Sequence, residues 1–260
     1  MMHVRELFDL SGKVAIVTGG GSGLGRQMAQ ALAESGADVV LCARKADRCE
    51  RTAEALEAEF GIRAIGVGCD VRQPDEVNAV VARTVEERGA VDILVNNSGT
   101  SWTASPEDVT LDGWQKVIDV NLTGAFLFAQ AAGREMIRRG QGGTIVNISS
   151  IAAFRGAAPE RLNAIPYSTS KGALVALTRD LAVKWARFGI RVNAIAPGWF
   201  PSDLSEEVLE ASGELLLQRI PLRRFGGPDD LKGAIVYLAS AASAFVSGTV
   251  LTVDGGELAG

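Results

Sequence analysis

The sequence has 260 residues, 47% of them apolar and 22% charged, and this composition excludes an intrinsically disordered chain. A formal net charge of −5 disfavours nucleic acid as a partner, because a phosphate backbone calls for a basic protein face. The three cysteines, Cys42, Cys49 and Cys69, lack metal-ligand spacing, so we expect neither a disulfide framework nor a metal site. They suit a reducing compartment, and no signal-peptide pattern opens the chain, so we expect a cytoplasmic protein.

Apolar runs alternate along the chain with segments of helical pattern. The runs predict strands at residues 14–18, 38–43, 64–68, 91–96, 144–148, 191–196 and 250–254. Helices are predicted at 24–34, at 46–60, from Pro74 onward and at 167–188. Strands that alternate with helices form βαβ units, and no linker or repeat divides the chain. We therefore predict an α/β fold, a single doubly wound (Rossmann) domain over 1–260 with a seven-stranded parallel sheet flanked by helices.

Residues 233–253 carry no charge and are long enough to span a bilayer. Several serines, Gly248 and Thr249 interrupt this run. We therefore predict a helix, a turn and a strand here, and no membrane association.

Glycines and polar residues follow six of the predicted strands. These clusters lie at 18–25, 43–44, 70–71, 96–99, 149–150 and 197–202. Because ligands of doubly wound sheets bind outside the carboxyl ends of the strands, the clusters predict one shared ligand site.

The first cluster has the spacing Thr18-Gly19-x-x-x-Gly23-x-Gly25 at the start of a predicted helix. It offers free backbone N–H groups and the positive end of a helix dipole to a pyrophosphate. It lacks the Lys-Ser/Thr ending of a P-loop and does not fit the ordinary G-x-G-x-x-G dinucleotide fingerprint. A tight strand-to-helix turn is the alternative, but such a turn explains one glycine and not a cluster.

Tyr167 and Lys171 are four residues apart at the start of a predicted helix, so they share one face. A lysine ammonium beside a phenol lowers its pKa and makes it a better acid–base catalyst. The alternative is an exposed polar pair on a helix surface. Ser168 and Lys171 also match the S-x-x-K of β-lactamases, which we reject because no S-D-N or K-T-G accompanies it.

These motifs, with Asn96-Asn97-Ser98-Gly99, Asn121, Ser149-Ser150 and Pro197-Gly198, resemble the motif set of the short-chain dehydrogenase/reductase family. They come in that family's order and cover nearly the whole chain. Two departures are Ser98, where alanine is usual, and a longer interval between Ser150 and Tyr167. The resemblance implies an NAD(P)-dependent oxidoreductase that interconverts a secondary alcohol and a ketone of a small-molecule substrate.

The resemblance also implies four catalytic residues. Tyr167 is the general acid in ketone reduction and the general base in alcohol oxidation, and Lys171 lowers its pKa and holds the nicotinamide ribose. Ser150 hydrogen-bonds the substrate oxygen, and Asn121 holds a water in the proton relay. A turn residue remains the alternative for Asn121.

The cofactor-binding residues that the resemblance implies are Gly19, Gly21, Ser22, Gly23, Leu24, Gly25, Arg44, Asp70, Val71, Asn97, Gly99, Tyr167, Lys171, Pro197, Gly198, Phe200 and Ser202. A strand-end cap is the alternative for Asp70. Because Ala43 stands where NAD-dependent enzymes carry an acidic residue, and Arg44 follows it, we favour NADP(H), with NAD(H) possible. Ser22 occupies a position where NADP-dependent relatives often carry a second basic residue.

Residues 199–225 are expected to close over the substrate. They resemble gluconate 5-dehydrogenases and related sugar-acid oxidoreductases, and also 3-oxoacyl-acyl-carrier-protein reductases. Arg155, Arg161, Arg223 and Arg224 are candidate partners for a substrate carboxylate, with solvated surface arginines as the alternative. A function of another class is a nucleotide-sensing protein on the same fold that performs no catalysis.

The segments at 121–137 and 172–185 carry apolar residues over more than one stripe of a helix. One stripe covers the sheet, and the remainder needs a further partner. The family resemblance implies that this partner is another copy of the chain, in a homotetramer.

Overall fold

The structure, a computed structural model, describes residues 2–159 and 162–260. Its sheet has seven strands: β1 (Val14–Thr18), β2 (Asp38–Ala43), β3 (Ala64–Gly68), β4 (Ile93–Asn96), β5 (Gly143–Ile148), β6 (Ile190–Pro197) and β7 (Val250–Val253). All neighbouring strands pair in parallel, in the order β3-β2-β1-β4-β5-β6-β7. The predicted seven-stranded parallel sheet is confirmed.

Helices cover both faces of this sheet. They are α1 (Gly23–Glu34), α2 (Ala46–Phe60), α3 (Pro74–Arg88), α4 (Leu111–Ile118), α5 (Gly124–Arg139), α6 (Ile165–Trp185), α7 (Glu206–Leu217) and α8 (Lys232–Ala239). Helix α6 begins two residues before the predicted start, because Pro166 fits the first turn of a helix, where its missing N–H costs no hydrogen bond.

The core has two layers because successive residues of a strand point to opposite faces of the sheet. In β1, Ala15 and Val17 pack into one layer with residues of α1, α2 and α8. Ile16, between them, packs into the other layer with residues of α3, α5 and α6. All of β1 is buried, which explains its unbroken apolar sequence.

The position of β1 creates the ligand cleft. Strand β1 lies between β2 and β4, so the connections after β1 and after β4 leave the sheet on opposite faces. The direction of winding reverses at this point, and a crevice opens at the carboxyl ends of the strands.

The uncharged segment at 233–253 forms all of α8 after Lys232, a 3₁₀ turn and β7, which confirms the predicted helix, turn and strand. Within residues 2–159 and 162–260, no helix is long and apolar enough to cross a membrane.

Candidate active site

A cavity of about 570 Å³ occupies the carboxyl ends of the strands. Of the residues predicted from the sequence, those that line it are Gly19, Gly21, Ser22, Gly23, Leu24, Arg44, Asp70, Val71, Asn97, Gly99, Ser150, Tyr167, Lys171, Pro197, Gly198, Phe200 and Ser202. Gly25 and Asn121 lie behind this surface and support it. The structure therefore brings clusters from distant parts of the chain to one cavity.

The glycine loop after β1 approaches α1 too closely for side chains. A Cβ on Gly25 would lie 2.2 Å from the carbonyl oxygen of Gly19, which is a backbone clash. Gly19 and Gly23 have φ of 67° and 51°, in the left-handed region that favours glycine. The loop thus exposes backbone N–H groups at the start of α1, a cradle that fits a pyrophosphate.

Thr18, the last residue of β1, connects this loop to the end of β4. Its hydroxyl accepts hydrogen bonds from the backbone N–H groups of Asn97, at 3.0 Å, and Ser98, at 2.9 Å. In return, the Asn97 side chain donates to the Thr18 carbonyl at 2.9 Å. Thr18 and Asn97 therefore fix the width of the crevice. The sequence motif contains Thr18, but sequence reasoning assigned it no role in the site.

Tyr167 and Lys171 lie in the first turns of α6 and face the same cavity. Lys171 is only 4% exposed, and its Nζ donates a hydrogen bond of 2.8 Å to the carbonyl oxygen of Ile148. Its Nζ lies 5.5 Å from the centre of the Tyr167 ring. The exposed-pair alternative is therefore inconsistent with the structure.

Burial controls the protonation of both side chains. Burial lowers the pKa of Lys171 to about 8, because the ammonium loses its hydration. Burial also raises the pKa of Tyr167, and a hydrogen bond from Ser150 opposes this rise in part. Burial thus favours the neutral phenol of Tyr167, and the lowering of its pKa by Lys171 stays a prediction.

The two serines after β5 have different surroundings. Ser149 is buried, and its hydroxyl donates a hydrogen bond of 2.8 Å to the carbonyl oxygen of Lys171. Both serines line the cavity, but Ser150 lies beside Tyr167, and its oxygen accepts a hydrogen bond of 3.1 Å from the Ala152 N–H. The geometry suits Ser149 to holding α6 in place and Ser150 to contacting a substrate.

Asn121 lies in a π-helical turn, Asp119–Thr123, between α4 and α5. Its side chain donates hydrogen bonds of 3.0 Å to the Thr100 carbonyl and the Ser170 hydroxyl, and accepts one of 2.8 Å from the Thr100 N–H. Both amide N–H donors are therefore engaged in connecting the loop after β4 to α6, while Oδ1 retains a lone pair that can accept a second hydrogen bond. The role of Asn121 in holding a water of the proton relay stays a prediction.

The end of the cavity near β2 and β3 is basic. Arg44, Lys45, Arg48 and Arg72 all line it. Arg72 pairs with Asp70 at 2.6 Å, which contributes to a lowered pKa of that carboxyl. Arg48 pairs with Asp203 across the cavity at 2.9 Å, while Arg44 is exposed, which leaves its guanidinium accessible to an anion.

The opposite end is formed by residues after β5 and β6 and by the C-terminal segment. Arg155 lines it, but its guanidinium donates to the side chain and to the backbone carbonyl of Glu257. Arg223 and Arg224 do not line the cavity, and Arg224 pairs with Asp230. Arg161 lies outside the described residues. The structure therefore leaves neither Arg155 nor Arg224 as an unpaired partner for a substrate carboxylate.

The longer interval between Ser150 and Tyr167 contributes to this end through Arg155, Ala157 and Leu162. The segment at 199–225 contributes Trp199, Phe200 and several residues around α7. Among the described residues, no group of three or more His, Cys, Asp or Glu side chains could hold a metal ion.

Comparison with known proteins decides the family. Residues 19–257 match the sequence family described as enoyl-(acyl carrier protein) reductase. The 2-dehydro-3-deoxy-D-gluconate 5-dehydrogenase of Bacillus subtilis is 39% identical over 260 residues, 99% of each chain. A short-chain type dehydrogenase/reductase from Mycobacterium marinum matches with a TM-score of 0.94 and 40% identity, over 98% of this chain and 99% of the other. This chain belongs to the short-chain dehydrogenase/reductase family.

A second solved structure adds a ligand-bound relative of this short-chain dehydrogenase/reductase. It is a gluconate 5-dehydrogenase from Burkholderia cenocepacia in complex with NADP and tartrate. It is 38% identical, covers 99% of this chain and 100% of its own, and has a TM-score of 0.93. Together these full-length matches show that the chain is an oxidoreductase, which excludes the nucleotide-sensing alternative.

Proposed function

We propose that this enzyme interconverts a secondary alcohol and a ketone of a sugar acid, with NADP(H) as the hydride carrier. The observation that carries the reaction type is the juxtaposition of Tyr167, Lys171 and Ser150 on one cavity with the glycine loop. The sugar-acid substrate rests on the full-length relatives, a 2-dehydro-3-deoxy-D-gluconate 5-dehydrogenase and a gluconate 5-dehydrogenase.

In the ketone-reducing direction, bound NADPH would supply a hydride to the carbonyl carbon. The Tyr167 hydroxyl donates its proton to the carbonyl oxygen, and Ser150 donates a hydrogen bond to the same oxygen as negative charge develops there. Lys171, with a pKa of about 8, is mostly protonated at neutral pH and stabilises the phenolate that Tyr167 becomes. In alcohol oxidation Tyr167 accepts the proton instead.

The proposed cofactor follows from the end of the cavity near β2. Ala43, and not an acidic residue, ends β2, and the exposed Arg44 next to it can form charge-assisted hydrogen bonds to a 2′-phosphate. The 2′-phosphate is the only group that distinguishes NADP from NAD. The NADP in the Burkholderia cenocepacia relative supports the same choice.

A second candidate is reduction of 3-oxoacyl groups carried on acyl carrier protein, favoured by the acyl-carrier-protein name of the matching family. A substrate panel separates the two. We expect NADPH-dependent reduction of 5-keto-gluconate to exceed that of acetoacetyl thioesters and simple ketones in kcat/KM. Preferred reduction of the thioesters would contradict the sugar-acid proposal and favour the second candidate.

We further propose that the chain acts in the cytoplasm as one domain and as a homotetramer. Phe126 on α5 and Val183 on α6 are 41% and 80% exposed, which supports a further apolar partner for these helices. The buried, unpaired Cys42, Cys49 and Cys69 are compatible with a reducing compartment. Light scattering at micromolar concentration is expected to give four times the chain mass, and a monomer would refute the assembly.

A further inference from the structure

The C-terminal segment after β7 places a buried carboxylate against the cavity. Asp254 holds the turn, since its carboxylate accepts hydrogen bonds from the N–H groups of Gly256, at 2.9 Å, and Leu258, at 2.7 Å. The turn directs Glu257 inward, where it is only 2% exposed and lines the cavity. No motif of the sequence identifies this residue.

Only half of the Glu257 carboxylate has a partner. Arg155 donates to Oε1 and to the backbone carbonyl of Glu257, whereas Oε2 is buried without a hydrogen-bond partner. A buried, unpartnered carboxylate oxygen costs stability, so its retention at the wall of a cavity points to a ligand that satisfies it.

Trp199 lines the same cavity and carries a complementary group. Its indole Nε1–H is also buried without a partner. Trp199 follows Gly198, and a Cβ on Gly198 would lie 2.8 Å from the Cα of Asp254, so the loop after β6 packs directly on the turn that carries Glu257. One orphan acceptor and one orphan donor therefore lie on adjoining segments.

The charges of this region argue for a neutral, polar ligand group. The Arg155–Glu257 pair carries no net charge, so it does not attract a carboxylate or a phosphate. A hydroxyl group donates one hydrogen bond and accepts others, and it can satisfy both orphan atoms. An aliphatic acyl chain can satisfy neither and would leave the Glu257 oxygen desolvated.

We propose that Glu257 and Trp199 recognise hydroxyl groups of the substrate away from the reacting carbon. Glu257 Oε2 accepts a hydrogen bond from a substrate hydroxyl, and Trp199 Nε1 donates one to a substrate oxygen. The pair thus selects polyhydroxylated ketones and alcohols over deoxygenated ones of equal length. This inference rests on the proposed alcohol–ketone chemistry and names the part of the substrate that the site reads.

The test compares ketones that differ only in hydroxyl groups. 5-Keto-gluconate and 5-oxohexanoate share a six-carbon chain, a carboxylate and the C5 ketone, and erythrulose and 2-butanone form a neutral pair. The wild-type enzyme is expected to favour the hydroxylated member of at least one pair. Glu257→Gln keeps an oxygen for Arg155 and replaces the free oxygen by an N–H donor. Trp199→Phe removes only the donor and part of the ring.

We expect each substitution to raise KM for the hydroxylated ketone at least about tenfold, with kcat/KM for its deoxygenated partner within about twofold of wild type. NADPH binding is expected to be unchanged. Glu210→Gln, which changes an exposed carboxylate of α7 that does not line the cavity, is the matched control and is expected to change the kinetics with neither substrate.

Equal losses on both members of a pair would assign Glu257 and Trp199 a structural role and overturn the inference. A wild-type preference for the deoxygenated members, or failure to reduce either hydroxylated ketone, would overturn it as well. Reduction of erythrulose without 5-keto-gluconate would contradict the sugar-acid proposal alone, because the hydroxyl discrimination stays measurable on the neutral pair.

Discussion

The two ends of the cavity are built in opposite ways. At the nucleotide end, residues contiguous with the strand ends are held by hydrogen bonds within the chain, as Thr18 and Asn97 show. At the substrate end, side chains from three distant segments meet, and two polar atoms, Trp199 Nε1 and Glu257 Oε2, lack partners. The nucleotide end is thus positioned by hydrogen bonds within the chain, although Asn96 Oδ1 at the end of β4 also lacks a partner, while the substrate end places a donor and an acceptor without protein partners on adjoining segments.

This difference separates what is shared by a family from what distinguishes its members. A pyrophosphate requires only backbone N–H groups and space, so its loop is specified by glycines at fixed spacing. A particular substrate requires donors and acceptors at particular points, which any segment near the cavity can supply. Tyr167 and Lys171 line the same cavity, and in the proposed mechanism they act on both the cofactor and the substrate.

The largest effect is expected where the two ends meet. Tyr167→Phe removes the proton that the reaction transfers, and we expect kcat to fall about a thousandfold in both directions of the reaction. Lys171→Ala is expected to be nearly as severe, and the double variant far less than additive, because the two side chains act as one unit. Steady-state kinetics with a substrate that the wild-type enzyme turns over measures this, and full activity of Tyr167→Phe would overturn the mechanism.

A second substitution, Gly25→Ala, is expected to weaken cofactor binding without changing the substrate end of the cavity. In Gly25→Ala the new Cβ meets the Gly19 carbonyl oxygen at 2.2 Å, so the loop must shift away from α1. A strain of about 2 kcal/mol would raise the dissociation constant of NADPH and NADH alike, roughly thirtyfold. Fluorescence titration of each cofactor measures this effect.

Gly233→Ala is the control for Gly25→Ala, because a Cβ at this helical glycine of α8 meets no atom within 4 Å. It is expected to leave both dissociation constants unchanged. Equal cofactor affinity in Gly25→Ala and Gly233→Ala would mean that close packing of the loop on α1 does not set the pyrophosphate site.

The contrast between the two ends of the cavity also explains which features of the fold and of the site could be predicted from the sequence. The strands, the glycine loop and the Tyr167–Lys171 spacing were predictable because each depends on neighbours along the chain. The unpartnered oxygen of Glu257 was not, since it depends on a contact with Arg155, about a hundred residues away in the sequence. Arg155 was a candidate carboxylate partner, with a solvated surface arginine as the alternative, and neither interpretation includes its pairing with Glu257, because a single sequence does not show that an arginine is already neutralised.

Cofactor choice gives a smaller, selective effect at the outer edge of the nucleotide end. Arg44→Ala removes charge-assisted hydrogen bonds to the 2′-phosphate, so kcat/KM for NADPH is expected to fall roughly tenfold while that for NADH stays constant. Ala43→Asp adds a carboxylate that repels the 2′-phosphate and can bind the ribose hydroxyls of NADH, so it is expected to shift the preference towards NADH.

Arg51→Ala is the control for cofactor choice, because Arg51 lies on α2, pairs with Asp47 and does not line the cavity. It is expected to leave both cofactors unaffected. Equal losses for NADPH and NADH in Arg44→Ala would contradict a role at the 2′-phosphate.

The smallest expected effects are on the free energy of unfolding, measured for one substitution at each end of the cavity. Thr18→Val deprives two backbone N–H groups of their acceptor, and we expect it to lower the free energy of unfolding by about 1–3 kcal/mol. Trp199→Phe removes a donor that has no partner in the protein. We expect it to change the free energy of unfolding by less than about 1 kcal/mol, because removal of an unsatisfied buried N–H offsets the loss of ring contacts. Urea unfolding of the two variants without ligand provides the comparison. If Trp199→Phe proves as destabilising as Thr18→Val, the indole N–H is satisfied within the fold, and the contrast drawn between the hydrogen bonding of Thr18 and of Trp199 is wrong.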